Sequence, residues 1–460
     1  MMREHTARGE QAGGCISRRG LILGGLALAG CSPSNARPTI EGLDEPVASG
    51  EIYASAVQEL LDRRAKALLA KDERTFLADL DESNDALIRK QKMLFDNLTQ
   101  LEFKSLRYIV PGSRWTPENG VYPVRPVLQV TQLTIDDGPS DVAPAEGYQF
   151  SLARKGDKLV ITDVIHGTMQ NRAELLLPAN LLTDVPWDST PLQVKRVGNV
   201  WLAADSSVPN LDEYASAASS QVEFVERLWG DRTKFPGSLL FFTNDADNFA
   251  AWYGLGQSPD KDQLDKIEGI TAALFGVRND GRVYNGQYVG ARIVVSLENI
   301  ADWGDDPALV MRHELAHGIT SRARSTDIGV GISMGAPRWA VEGFARWTET
   351  IDNPRRRQAE AWAASQGAAA GKFKGVPTSD TFYDDAVFNY ALSSTIFSFV
   401  EELKGRETAV EFYAKTIKYS EFETSNFVDK PAFDGICRRV LGMGAATFLD
   451  RWASFVRAGA

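Results

Sequence analysis

The segment His313-Glu314-Leu315-Ala316-His317 uses two of the chain's four histidines at a spacing of four. On a helix those two positions lie one above the other, so both imidazoles can reach a single metal ion. Glu314 projects beside them, where a carboxylate can take a proton from water. The pattern has this meaning only if the segment is helical, and the flanks supply a helix. Asp305-Asp306-Pro307 offers an N-cap carboxylate and then a proline in the first turn, where its missing N–H costs nothing. Ala308, Leu309, Val310, Met311, Leu315, Ala316 and Ile319 make the stretch apolar nearly all round, the pattern of a buried helix. Histidines in such surroundings need partners, and a metal provides them. Upstream, Ala291–Leu297 is rich in β-branched residues and predicts a strand, one that could serve as a docking edge for an extended peptide.

A catalytic zinc keeps three protein ligands and one open position. Cysteine is a poor source for the third. The chain has only Cys15, Cys31 and Cys437; the first two lie in an N-terminal export segment, and Cys437 reads as a small buried thiol. A carboxylate remains. Pro337-Arg338-Trp339-Ala340-Val341-Glu342-Gly343-Phe344-Ala345 puts Glu342 in an otherwise apolar helical stretch. Desolvating an unpaired carboxylate there is costly, and a cation would neutralise it. Glu349, two turns later on nearly the same face, is the rival.

These two motifs, His313-Glu-Leu-Ala-His317 and Trp339-Ala-Val-Glu342-Gly-Phe-Ala, resemble the gluzincin metallopeptidases of the thermolysin-like clan. The second is most similar to the glutamate helix of zinc aminopeptidases. The resemblance spans about 35 residues and implies zinc held by His313, His317 and Glu342, with Glu314 as general base. It also implies a tyrosine or histidine that donates to the oxyanion, drawn from a helix beyond the zinc glutamate. No histidine follows His317, and Tyr390, in Asp384-Asp385-Ala386-Val387-Phe388-Asn389-Tyr390, is the candidate. The chain departs from the family in two respects. It has no Gly-x-Met-Glu-Asn-type exopeptidase motif, and Arg346 stands where thermolysin-like enzymes carry a histidine-orienting aspartate. Support for the ligands must therefore come from elsewhere.

The N-terminus points to a compartment. Arg3, Arg8, Arg18 and Arg19 precede the apolar run Leu21–Gly30, which is too short to span a bilayer and reads as an export signal. Ser17-Arg18-Arg19-Gly20-Leu21-Ile22 resembles a twin-arginine signal. Leu28-Ala29-Gly30-Cys31 resembles the bacterial lipobox, which implies a lipidated Cys31 and a protein anchored on the extracytoplasmic face of the cell membrane. Without residues 1–30 the chain keeps 46 basic against 59 acidic residues, a net charge of −13, which disfavours nucleic acid as a partner. Arg355-Arg356-Arg357 reads as a solvated helix end.

The remaining pattern predicts an α+β organisation: a signal over 1–30, a tether over 31–50, a first domain over 51–175 and a second over 186–460. In the first, helices to about residue 98 precede strand-like runs at Leu101–Val110, Val121–Ile135, Gly147–Arg154 and Lys158–Ile165. That order resembles the NTF2-like cone fold, with His166 as a structural histidine at the end of the last strand. The second domain is expected to be mostly helical with a small sheet. It opens with a hairpin around Gly198-Asn199, and its Ala/Gly-rich stretch Ala359–Lys374 is either a lid or a connection. Together these features predict a membrane-anchored zinc metallopeptidase acting on a peptide or protein. The alternative is an envelope scaffold whose zinc unit is vestigial.

Overall fold

The computed structural model of the chain describes residues 50–136, 141–178, 181–234, 236–257, 266–284, 288–324, 335–419 and 426–459. The signal segment, Cys15, Cys31 and nearly all of the tether lie outside the described residues.

Helix and sheet are mixed throughout. In the N-terminal half, helices Ala54–Leu69, Glu73–Leu77 and Asp85–Leu98 precede an antiparallel sheet of four strands. The strands Phe103–Ile109, Tyr122–Leu133, Ala145–Lys155 and Lys158–His166 pair in chain order as a meander, within two residues of the predicted bounds. The second and third helices start where Asp72 and Asn84 accept from the backbone N–H of Thr75 and Leu87. The first helix buries Val57, Leu60, Leu61, Ala65 and Leu68, the helically spaced apolar positions, in the core that also holds Tyr148 and Phe150 of the sheet.

A second sheet of five strands divides the molecule. Its order is Gly269–Leu274, Gly290–Ser296, Ser238–Thr243, Val200–Ala204, Gln193–Val197; the central three are parallel and the outer two antiparallel to them. Alternate residues face opposite ways. Trp201, Leu239, Phe241 and Val294 join the core of the N-terminal half together with Trp187 from the short helix Pro186–Ser189. Leu202, Leu240, Phe242, Ile293 and Val295 face the helices of the C-terminal half. The two halves thus share one wall.

The strand beside the histidine helix is not an edge, contrary to the sequence expectation. Gly290–Ser296 is paired on both sides and buried from Ala291 to Ser296, with Ile293, Val294 and Val295 as its apolar centre and the buried Arg292 paired with Asp136. The edge is Gly269–Leu274, a half-buried strand.

Helices complete the C-terminal half: Pro307–Ala323, Arg338–Thr350, Pro354–Ala369, Ala386–Lys404, Arg406–Thr416, Pro431–Ile436 and Ala445–Ala458. Most of the Ala/Gly-rich stretch is neither lid nor plain connection. Asn353 caps it, Pro354 occupies its first turn, and its alanines propagate a helix that buries Ala361 and Ala364. The glutamate helix crosses Ala386–Lys404 closely, since a Cβ on Gly343 would meet the Ser393 backbone at 2.7 Å.

Candidate metal centre

The helix Pro307–Ala323 begins as the sequence predicts, with the Asp306 carboxylate accepting from the Ala308 N–H at 2.9 Å. Its interior buries Met311, Leu315 and Ile319 against the five-stranded sheet. That packing fixes the rotation of the helix and turns His313 and His317 toward Arg338–Thr350. His317 Nε2 stands 3.3 Å and His313 Nε2 3.6 Å from Glu342 Oε2. The three donor atoms all lie within 4.8 Å of one another, the one such group among the described residues. Bonds of about 2.0–2.1 Å in a tetrahedral site set ligand atoms roughly 3.3 Å apart, so the donor set fits one metal ion of zinc's size. Two imidazoles and a carboxylate are also the donor types zinc accepts.

Glu349 does not join that group. Its Oε1 lies 2.7 Å from His313 Nδ1, on the side of the ring away from Glu342. Arg346 Nη1 reaches Glu349 Oε2 at 3.1 Å and Arg356 Nη2 reaches it at 2.7 Å. Burial pushes the Glu349 carboxyl upward, but Arg346, the His313 hydrogen bond and Arg356 outweigh it and hold the group down at about 2. Held ionised at neutral pH, Glu349 favours the His313 proton on Nδ1 and leaves Nε2 facing the cluster. The rival ligand is thus the support that the Arg346 departure left missing. Arg346 belongs to the same network and also bonds Glu360 at 2.9 Å.

Arg356 corrects another expectation. Only 16% of its side chain is exposed; besides Glu349 it binds Asp305 at 2.8 Å, tying the start of the histidine helix to the helix after the glutamate. The basic run does open a helix, but one where paired carboxylates draw Arg356 inward, while Arg357 meets Glu401 at 2.6 Å.

Around the cluster, burial alone pulls the His313 imidazole down. The hydrogen bonds to Glu342 and Glu349 reverse that and carry it up to about 10 when no metal competes for the ring. Glu342 shows the converse: burial raises it, and the charges and hydrogen bonds of His317 and His313 drive it well below the carboxylate range. The pair therefore carries charge in a setting that would otherwise expel it.

Glu314 is 6% exposed and belongs to the same site. The Thr271 hydroxyl, on the edge strand, lies 2.8 Å from both the Glu314 carboxylate and its backbone carbonyl. A Cβ at Gly269 would meet Glu314 Cγ at 2.8 Å, so the edge strand approaches this closely only because residue 269 has no side chain. The Tyr383 hydroxyl donates to Glu342 Oε1 at 3.2 Å. The Tyr390 ring lies 6.2 Å from that of His313 and 6.4 Å from that of Tyr383. Burial and the charge of Glu342 keep both phenols protonated.

The other predicted residues lie apart. His166 ends its strand outside the cluster, lowered to about 4 by burial and by Lys90. Cys437 is buried and free, its thiol raised to about 12 by burial. Thr271, Tyr383 and the Glu349–Arg346–Arg356 clamp escaped the sequence reading. Only Arg346 and the arginine run carried a signal, as charges in an apolar or crowded helical context. No protein-family model matches the chain, and no curated protein matches it.

Proposed function

We propose that the chain is a zinc metallopeptidase of gluzincin type, with His313, His317 and Glu342 as ligands and Glu314 as general base. The observation that carries this reading is the position of Glu314. A structural metal needs no base, yet here a buried carboxylate is held between the histidine helix and an edge strand by Thr271. When bound, zinc supplies polarisation of a peptide carbonyl and acidification of water.

The chain's own residues do the rest. Among the described residues no strand pairs the outer side of Gly269–Leu274, whose backbone groups can receive an extended peptide, which would lie across the cluster. Glu314 takes a proton from the attacking water and passes it to the leaving amine. Tyr390 donates to the carbonyl oxygen as charge develops there. Tyr383 holds Glu342 in place through its hydroxyl. Glu349 holds His313.

In this reading the N-terminal helices and meander are an NTF2-like domain fused through the shared wall. The lipobox-like Leu28-Ala29-Gly30-Cys31 anchors the protein by lipid on the outer face of the cell membrane. Cys31→Ser should leave an unprocessed precursor that incorporates no labelled fatty acid.

The decisive experiment digests a broad peptide library with zinc-loaded wild type and Glu314→Gln. The variant should keep its zinc and fold and lose ~10²–10⁴-fold in rate, because the amide preserves shape but accepts no proton. Equal product release from both proteins would identify a contaminant and leave the scaffold reading in place.

A further inference from the structure

We propose that Arg338 is the substrate-reading residue of this site and that it binds a carboxylate on the peptide. The inference rests on the peptidase reading for its setting.

Arg338 is the first residue of the glutamate helix, four before Glu342, so the two side chains share a face. Its guanidinium carbon lies 4.7 Å from the centre of the Tyr383 ring, and the hydroxyl of that ring donates to Glu342 at 3.2 Å. One aromatic ring therefore separates the guanidinium from the ligand cluster. Tyr383 steadies the cation through its ring face and a side-chain hydrogen bond, and the planar guanidinium has further N–H groups to offer a partner.

The other arginines around the centre are matched with acids. Arg346 meets Glu349 and Glu360, Arg356 meets Glu349 and Asp305, and Arg312 meets Asp352 at 3.6 Å. Arg338 has no carboxylate partner among the described residues, and its side chain is half-exposed. Nor does its position serve the helix. A cation in the first turn opposes the helix dipole, which favours acidic residues there. The protein carries a net charge of −11, and the cluster itself is rich in carboxylates. A half-exposed, unmatched guanidinium beside them draws an anionic substrate group toward a region that would otherwise repel it. Arginine's planar fork suits a carboxylate in particular. Two sources share that chemistry, the peptide's C-terminus and an acidic side chain, and the experiment separates them.

The probes are one fluorescent hexapeptide scaffold in four forms: free acid, C-terminal amide, and amide with Asp or Asn at an internal position. Affinity for zinc-loaded Glu314→Gln, with and without Arg338→Met, is measured by calorimetry, and kcat and KM are measured with Glu314 restored. Methionine keeps an apolar stem against Tyr383 and removes the charge. Carboxylate forms should bind roughly 10–100-fold more tightly than their neutral counterparts, the worth of a charge-assisted hydrogen bond, and Arg338→Met should erase the difference. A preference for the free acid identifies a C-terminal carboxylate, and a preference for internal Asp over Asn identifies a side chain. Arg338→Lys should restore part of the preference.

If neutral and acidic forms bind alike, the proposal fails. It also fails if Arg338→Met lowers kcat equally on all four peptides, since Arg338 would then only position Tyr383. Carboxylate-dependent binding without turnover would sink the peptidase reading and leave the carboxylate site standing.

Discussion

Among the described residues, two groups of buried carboxylates are pushed upward by burial alike, yet they end on opposite sides of the ordinary range. At the candidate metal centre, Glu342 and Glu349 are held below the ordinary range although both are buried. At the wall between the halves, Glu146 is raised to about 8 and Asp188 to about 7, chiefly by burial. The difference is the supply of cations. Glu349 faces Arg346, Arg356 and His313, and Glu342 faces two imidazoles. Around Glu146 and Asp188 the partners are hydroxyls: Thr131 donates to Glu146, and Tyr148 reaches Asp188 at 2.9 Å. Of the cations nearby, Lys90 lowers Asp188 without offsetting its burial, and Arg292 is already committed to Asp136 by a bidentate pair at 2.7 and 2.8 Å. A buried carboxylate without its own cation keeps a proton, whereas one surrounded by cations stays ionised and able to ligate. Equal burial therefore does not mean equal chemistry.

The comparison breaks most sharply at Glu342. Glu342→Gln removes the only carboxylate of the proposed ligand set while keeping the side chain's shape. Zinc affinity, measured by chelator competition, should fall by at least ~10³-fold, since two neutral imidazoles do not hold a closed site. Stoichiometric zinc at unchanged affinity in this variant would move the ligand role elsewhere. A smaller loss is expected from Glu349→Gln, which makes the metal cluster more like the interior one. The ligands remain, but His313 loses its anionic acceptor, and affinity should drop ~10–100-fold. A cobalt-substituted sample provides a second readout, because its visible spectrum should shift with the orientation of the imidazole. An unchanged spectrum and affinity would reduce Glu349 to a structural ion pair.

The two clusters also differ in how far the sequence discloses them. His313, Glu314, His317 and Glu342 were legible because helix periodicity converts spacing of three and four into proximity, and because an apolar frame makes each polar residue conspicuous. The four-strand meander was legible through alternation and β-branched composition. Glu349 was visible only as the lesser alternative to Glu342; telling ligand from support requires knowing which imidazole nitrogen it faces. Thr271 reaches Glu314 across 43 residues of chain, and no local pattern marks it. The strand Gly269–Leu274 escaped for a related reason: with a glycine and two alanines among its six residues it lacks the bulk that announces a strand. Glu146 and Asp188 sit 42 positions apart and meet only through tertiary packing, so nothing local pairs them.

The smallest and most diagnostic effect concerns that interior pair. Glu146 and Asp188 have folded values of about 8 and 7, against unfolded values near 4. Between those limits the folded chain holds protons that the unfolded chain has released, so raising the pH favours unfolding. Their contribution to stability is complete below about pH 4 and is lost as pH rises through about 8. Glu349, beside the candidate metal centre, works in the other direction: its contribution is present above about pH 4 and is lost as pH falls toward 2. Between pH 7 and pH 8.5 the interior pair dominates, and denaturant unfolding of the metal-loaded protein should lose on the order of 1–2 kcal/mol. Glu146→Gln keeps the hydrogen bond with the Thr131 hydroxyl and cannot ionise, so the loss should shrink by about three-quarters, with little change at pH 6. The matching substitution Glu349→Gln should leave the slope over this range as it is in wild type. If Glu146→Gln and wild type fall in parallel from pH 7 to 8.5, the carboxylate at the wall is already ionised. The contrast between a cation-poor and a cation-rich interior would then not explain the two clusters.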